Sequence, residues 1–84
     1  MNPHFASLVM GLATQAGAAM EGNLPEGFPE GAVQPLDLAR NLIDTLGMLE
    51  AKTRGQLEED EARLLTQLLT DLRFRFVQAS ASNV

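Results

Sequence analysis

Four consecutive acids, Glu58, Glu59, Asp60 and Glu61, form the densest run of chemically capable side chains in this sequence. Carboxylates so placed could ligate a metal or share the work of a general acid and a general base. A catalytic pair needs surroundings that push its two pKa values apart, and consecutive residues on a helix point in different directions around its axis. At the start of a helix the same residues place negative charge on the positive end of the macrodipole. That structural role accounts for all four.

Two basic groups follow: Lys52 and Arg54 around Thr53, and Arg73 with Arg75. Either could bind an anion or an acidic partner. Compensation of a helix C-terminus, with ion pairs to Asp44, Glu50 or Asp71, accounts for them without a ligand. Lys52, Arg54 and Arg73 are nevertheless the candidate anion contacts. Arg73 borders an apolar stripe, where a bidentate pair with a carboxylate would fix orientation. Other reactive residue types are scarce: there is no Cys or Tyr, and His4 is the single histidine. No nucleophile–base–orienter set can be assembled from them, and thiolate and multi-histidine metal sites within one chain are excluded. The expectation is a non-enzymatic protein with no cofactor and no metal.

The elements that position these residues are helical. Asn2 can cap a first helix over 3–20, with Pro3 in its first turn. Phe5, Leu8, Val9, Leu12, Ala16 and Met20 follow helical spacing as its stripe, with Ser7, Gly11, Thr14 and Ala18 behind. A loop over 21–35 carries prolines and glycines at short intervals, including Pro25, Gly27, Pro29 and Gly31. Leu24, Phe28 and Val33 can pin it to the helices. Its glycines lack the spacing of a phosphate-binding loop. A second helix spans 36–53, with Asp37 in its first turn and Gly55 as its stop. A third spans 58–77, followed by a disordered tail over 78–84. The fold class is all-α: a helical hairpin with the N-terminal helix packed across it, in a single domain.

The second and third helices carry apolar residues in adjacent pairs, 38/39 and 42/43, then 64/65 and 68/69. Doubled positions widen the apolar arc beyond one packing seam, so a strip is expected to remain that a second copy would cover. The candidate partner or self-association face is Leu38, Leu42, Leu49, Leu64, Leu68, Phe74 and Val77. Phe74 fits the buried pattern least, because its spacing sets it opposite Leu65, Leu68 and Leu72.

Length and composition point the same way. An 84-residue chain buries only about 60% of its unfolded surface. Without disulfides or a metal, association is the common remaining source of stability. A homodimer is therefore favoured. Leu and Ala dominate the 45% hydrophobic content, with one Ile and no Trp, a mixture suited to helices rather than strands. The net charge is −5 and Arg40 is the first Lys or Arg, which excludes general nucleic-acid binding. The uncharged stretch Phe5 to Met20 falls short of the roughly 20 apolar residues that a membrane span needs. Ala16-Gly17-Ala18 resembles a signal-peptide cleavage site, but no basic residue precedes it. Nor is there basic charge to hold helix one at a membrane surface. The expected location is the cytoplasm.

From Asp37 to Val77 a further pattern emerges: Ala39, Ile43-Asp44, Leu46, Leu49, Lys52-Thr53, Gly55 and Leu57, then Glu61, Leu64-Leu65, Leu68, Leu72-Arg73 and Phe76-Val77. This pattern resembles a family of short bacterial proteins designated domain of unknown function 1844. Phe5, Leu8, Leu12-Ala13 and Gln15-Ala16 are similar to that family's first helix, so the resemblance spans most of the chain. Members similar to it carry Asn-Leu-Thr where Gln56-Leu57-Glu58 stands here, so the hydroxyl cap of the third helix is replaced by a carboxylate on a longer stem. The resemblance implies a helical fold and brings no activity, so no site residue is carried over. Two functions remain as expectations: a self-associating helical module that binds another protein, and a small anionic-ligand binder using Lys52, Arg54 and Arg73.

Overall fold

The computed structural model describes residues 1–24, 31 and 33–82. Three helices follow one another: α1 Pro3–Met20, α2 Pro35–Lys52 and α3 Glu59–Ser82. Among the described residues there is no strand.

Local chemistry sets most of the boundaries. The Asn2 side chain accepts hydrogen bonds from the His4 and Phe5 amides at 2.8 and 3.0 Å, capping α1 as its sequence predicts. At the other end Gly22 adopts φ +90°. Its amide donates to the Ala19 carbonyl and the Asn23 amide to the Ala18 carbonyl, both at 2.9 Å, the paired bonds of a Schellman cap. Pro35 opens α2 with its fixed φ, and Asp37 stands in the first turn. The Thr53 hydroxyl donates to the Leu49 carbonyl at 2.6 Å. Gly55, at φ +81°, then turns the chain towards α3.

The third helix runs through Ser82, so the tail expected from residue 78 is helical over 78–82; residues 83 and 84 lie outside the described residues. The sequence after Gly55 contains neither glycine nor proline to stop it. Ala79 and Ser80 are also half-buried, in a cleft they line with Met20 and Leu36. Of the expected loop anchors, Leu24 and Val33 are half-buried, and Phe28 lies outside the described residues.

Every pair of helices is in contact. Val9, Ala13 and Ala16 of α1, Leu42, Ile43 and Leu46 of α2, and Leu65, Leu69 and Leu72 of α3 make one core. The stripe expected on α1 is corrected at one position in particular. Leu8 is exposed, whereas Ala13, Gly17 and Ala19 are buried. The phase of the helix is set by its small residues, which admit the neighbouring helices closely. A Cβ on Gly17 would stand 3.2 Å from an Arg75 guanidinium nitrogen. The doubled positions on α2 are met inside the chain, since α2 packs against both α1 and α3. No leucine of α2 or α3 is exposed.

Candidate interaction face and basic cleft

The acidic run begins α3. Glu61, third in the helix, is buried; its Oε1 accepts from the Glu58 amide at 2.9 Å and its Oε2 from the Asn2 amide at 2.8 Å. The first bond is half of a capping box. The second ties the start of α1 to the start of α3 across 59 positions of sequence. These two donors, Asn2 first, hold the Glu61 carboxyl below its ordinary value. The Met1 ammonium lies 3.5 Å from Asp60 and 3.8 Å from Glu58, and these charges, Asp60 foremost, raise its pKa. Glu59 pairs with Arg63 at 2.9 Å. The run thus caps, tethers and pairs. Among the described residues no group of three or more His, Asp or Glu could hold a metal ion.

The seven residues of the expected apolar face separate into two sets. Leu42 is buried in the core, and Leu38, Leu49, Leu64 and Leu68 are half-buried around it. Phe74 and Val77, at 63% and 66% of their surface, are exposed. Three positions apart, they share the outer side of α3. The sequence pattern did not identify Leu8, Met10 and Met48 as exposed, although they are. The last two carry a weak signal, being apolar residues off the main stripe of their helices.

The three candidate anion contacts do not converge. Lys52 is exposed at the end of α2. Arg54 lines a cleft at the α2–α3 turn with Glu50, Thr53, Leu57 and Thr66. Arg73 belongs to a different cleft, of about 260 Å³, shared with Arg40, Ile43, Asp44, Phe76 and Val77. Its guanidinium rests against α2, where a Cβ on Gly47 would come within 3.1 Å of Nη2. Arg40 stands over the Phe76 ring, 5.7 Å from its centre. Among the described residues Arg63 and Arg75 form ion pairs, the latter with Asp71 at 3.5 Å. Arg40 and Arg73 form none. The structure therefore places Arg73 in one cleft with Arg40.

The family described as Domain of unknown function (DUF1844) matches residues 2–78. The chain belongs to this family. The match takes in α1, α2 and α3 as far as Gln78, so Phe74, Val77 and both arginines of the cleft lie within the DUF1844 segment. No curated protein and no solved structure matches the chain. Among the described residues, no helix of this DUF1844 protein is long and apolar enough to cross a membrane.

Proposed function

We infer that this DUF1844 protein is a non-enzymatic, cytoplasmic helical module that self-associates and offers the same face to another protein. One observation carries the reading: Phe74 and Val77 stand side by side in solvent on a helix whose other large apolar side chains are buried or half-buried. A single exposed apolar residue is ordinary; a neighbouring pair, with aromatic character, is the composition that interface centres favour.

Magnitudes set the strength of the association. Covering Phe74 and Val77 on two copies contributes about 4–8 kcal/mol, two-thirds of about 1.5–3 kcal/mol for each of the side chains, because each is about two-thirds exposed. Association costs about 4–15 kcal/mol in lost freedom. These side chains alone leave little surplus, so a micromolar dimer, which needs about 8 kcal/mol net, draws the rest from other contacts of the same face. Light scattering over a concentration series is the test. The mass should rise from 9.1 kDa towards twice that value as concentration passes the micromolar range, and Phe74→Glu should hold it at the lower value. A mass that never leaves 9.1 kDa refutes self-association.

A further inference from the structure

We propose that the Arg40–Arg73 cleft receives Glu59 of a second copy, in a twofold dimer whose α3 helices run antiparallel. The proposal rests on the self-association inferred above and adds its geometry.

The cleft is a site with surplus positive charge. Its two guanidinium groups face one carboxylate, Asp44, and neither forms an ion pair among the described residues. Ile43, Phe76 and Val77 give it an apolar lining. The complementary charge is on the same helix. Among the described residues Glu59 is the most exposed partner of any ion pair, at 88% of its side chain. Its present pair with Arg63, itself 62% exposed, is worth only about 0.3–0.5 kcal/mol. Giving up that pair therefore costs little.

Register decides whether a twofold axis can satisfy both clefts at once. Glu59 and Arg73 are two heptads apart, close to four full turns, so they lie on nearly one side of α3, about 21 Å from each other. An axis beside Thr66, midway between them, sets Glu59 of each copy opposite Arg73 of the other, as an isologous interface requires. In the same register Thr70 meets the exposed Ala62 of the second copy. One placement thus sets the acid of each copy at the cleft of the other.

Charge reversal tests this directly. Glu59→Arg and Arg73→Glu each set like charges against each other twice in a homodimer, and each should raise the dissociation constant about tenfold or more, measured by sedimentation velocity. An equal mixture of the two variants restores both pairs and should sediment as a dimer near the wild-type dissociation constant. Both positions are exposed, and unchanged helical circular dichroism excludes misfolding. Variants that dimerise as the wild type does, or a mixture that stays monomeric, overturn the cleft assignment while the self-association reading stands. A wild-type chain that is monomeric throughout overturns both.

Discussion

Gly11 and Gly22 offer a comparison that isolates backbone conformation from packing. A Cβ at either would meet nothing within 4 Å, so neither substitution creates a clash. Gly11 is exposed inside α1. Alanine there recovers the helix-propensity difference of about 0.8–1.0 kcal/mol. Gly22 sits at φ +90° and holds the two capping bonds that close α1. An L side chain in that left-handed region costs about 1–2 kcal/mol. The two variants should therefore differ by about 2–3 kcal/mol in opposite directions from wild type. At about 4–8 °C per kcal/mol for a domain of this size, Gly11→Ala should raise Tm by several degrees and Gly22→Ala should lower it by at least as much. Thermal unfolding followed by far-ultraviolet circular dichroism reads both. One fixed protein concentration is needed because association adds to apparent stability. Shifts of the same sign would refute the assignment of α1 and its cap.

Two further perturbations probe the core and the tether. Leu65 is fully buried at the centre of the bundle, so Leu65→Ala should cost about 2–5 kcal/mol in urea unfolding. Leu8→Ala, at a position that is 51% exposed, should stay within about 0.5 kcal/mol; equal losses would contradict the phase of α1. The depressed Glu61 pKa means that its contribution is complete above the ordinary value of 4.5 and is lost as pH falls through the lower folded value. Urea midpoints measured from neutral pH downward should show an acid decline, and Glu61→Gln should flatten it. An unchanged acid limb in that variant would place the effect elsewhere.

The sequence makes the helices legible because their punctuation is chemical. Asn2 and Pro3 announce α1, Gly55 stops the turn after α2, and the leucines of α2 and α3 repeat at helical spacing. The phase of α1 is less legible. Alanines and glycines give little contrast between faces, and Leu8 outweighs Ala13 and Ala19 on hydrophobicity, although the alanines are the buried ones. The end of α3 is a tertiary matter, since Ala79 and Ser80 are half-buried and line a cleft with Met20 and Leu36. Phe74 and Val77 are visible as misfits to the stripe. Arg73 can be singled out, but its companionship with Arg40 depends on how α2 lies against α3. Glu61 is indistinguishable from its acidic neighbours until the Asn2 amide reaches it from the other end of the chain.

Self-association through the outer side of α3 is most directly tested by paramagnetic relaxation between molecules. The chain contains no cysteine, so a nitroxide can be attached to Gln67→Cys alone, on the exposed side of α3. Unlabelled chain carrying this probe is mixed with nitrogen-15-labelled wild type, whose amide signals then report only on contacts between copies. Signals of Phe74 and Val77 should weaken well beyond those of Leu8 and Met10 on α1. Absence of broadening, or broadening centred on α1, would contradict the account.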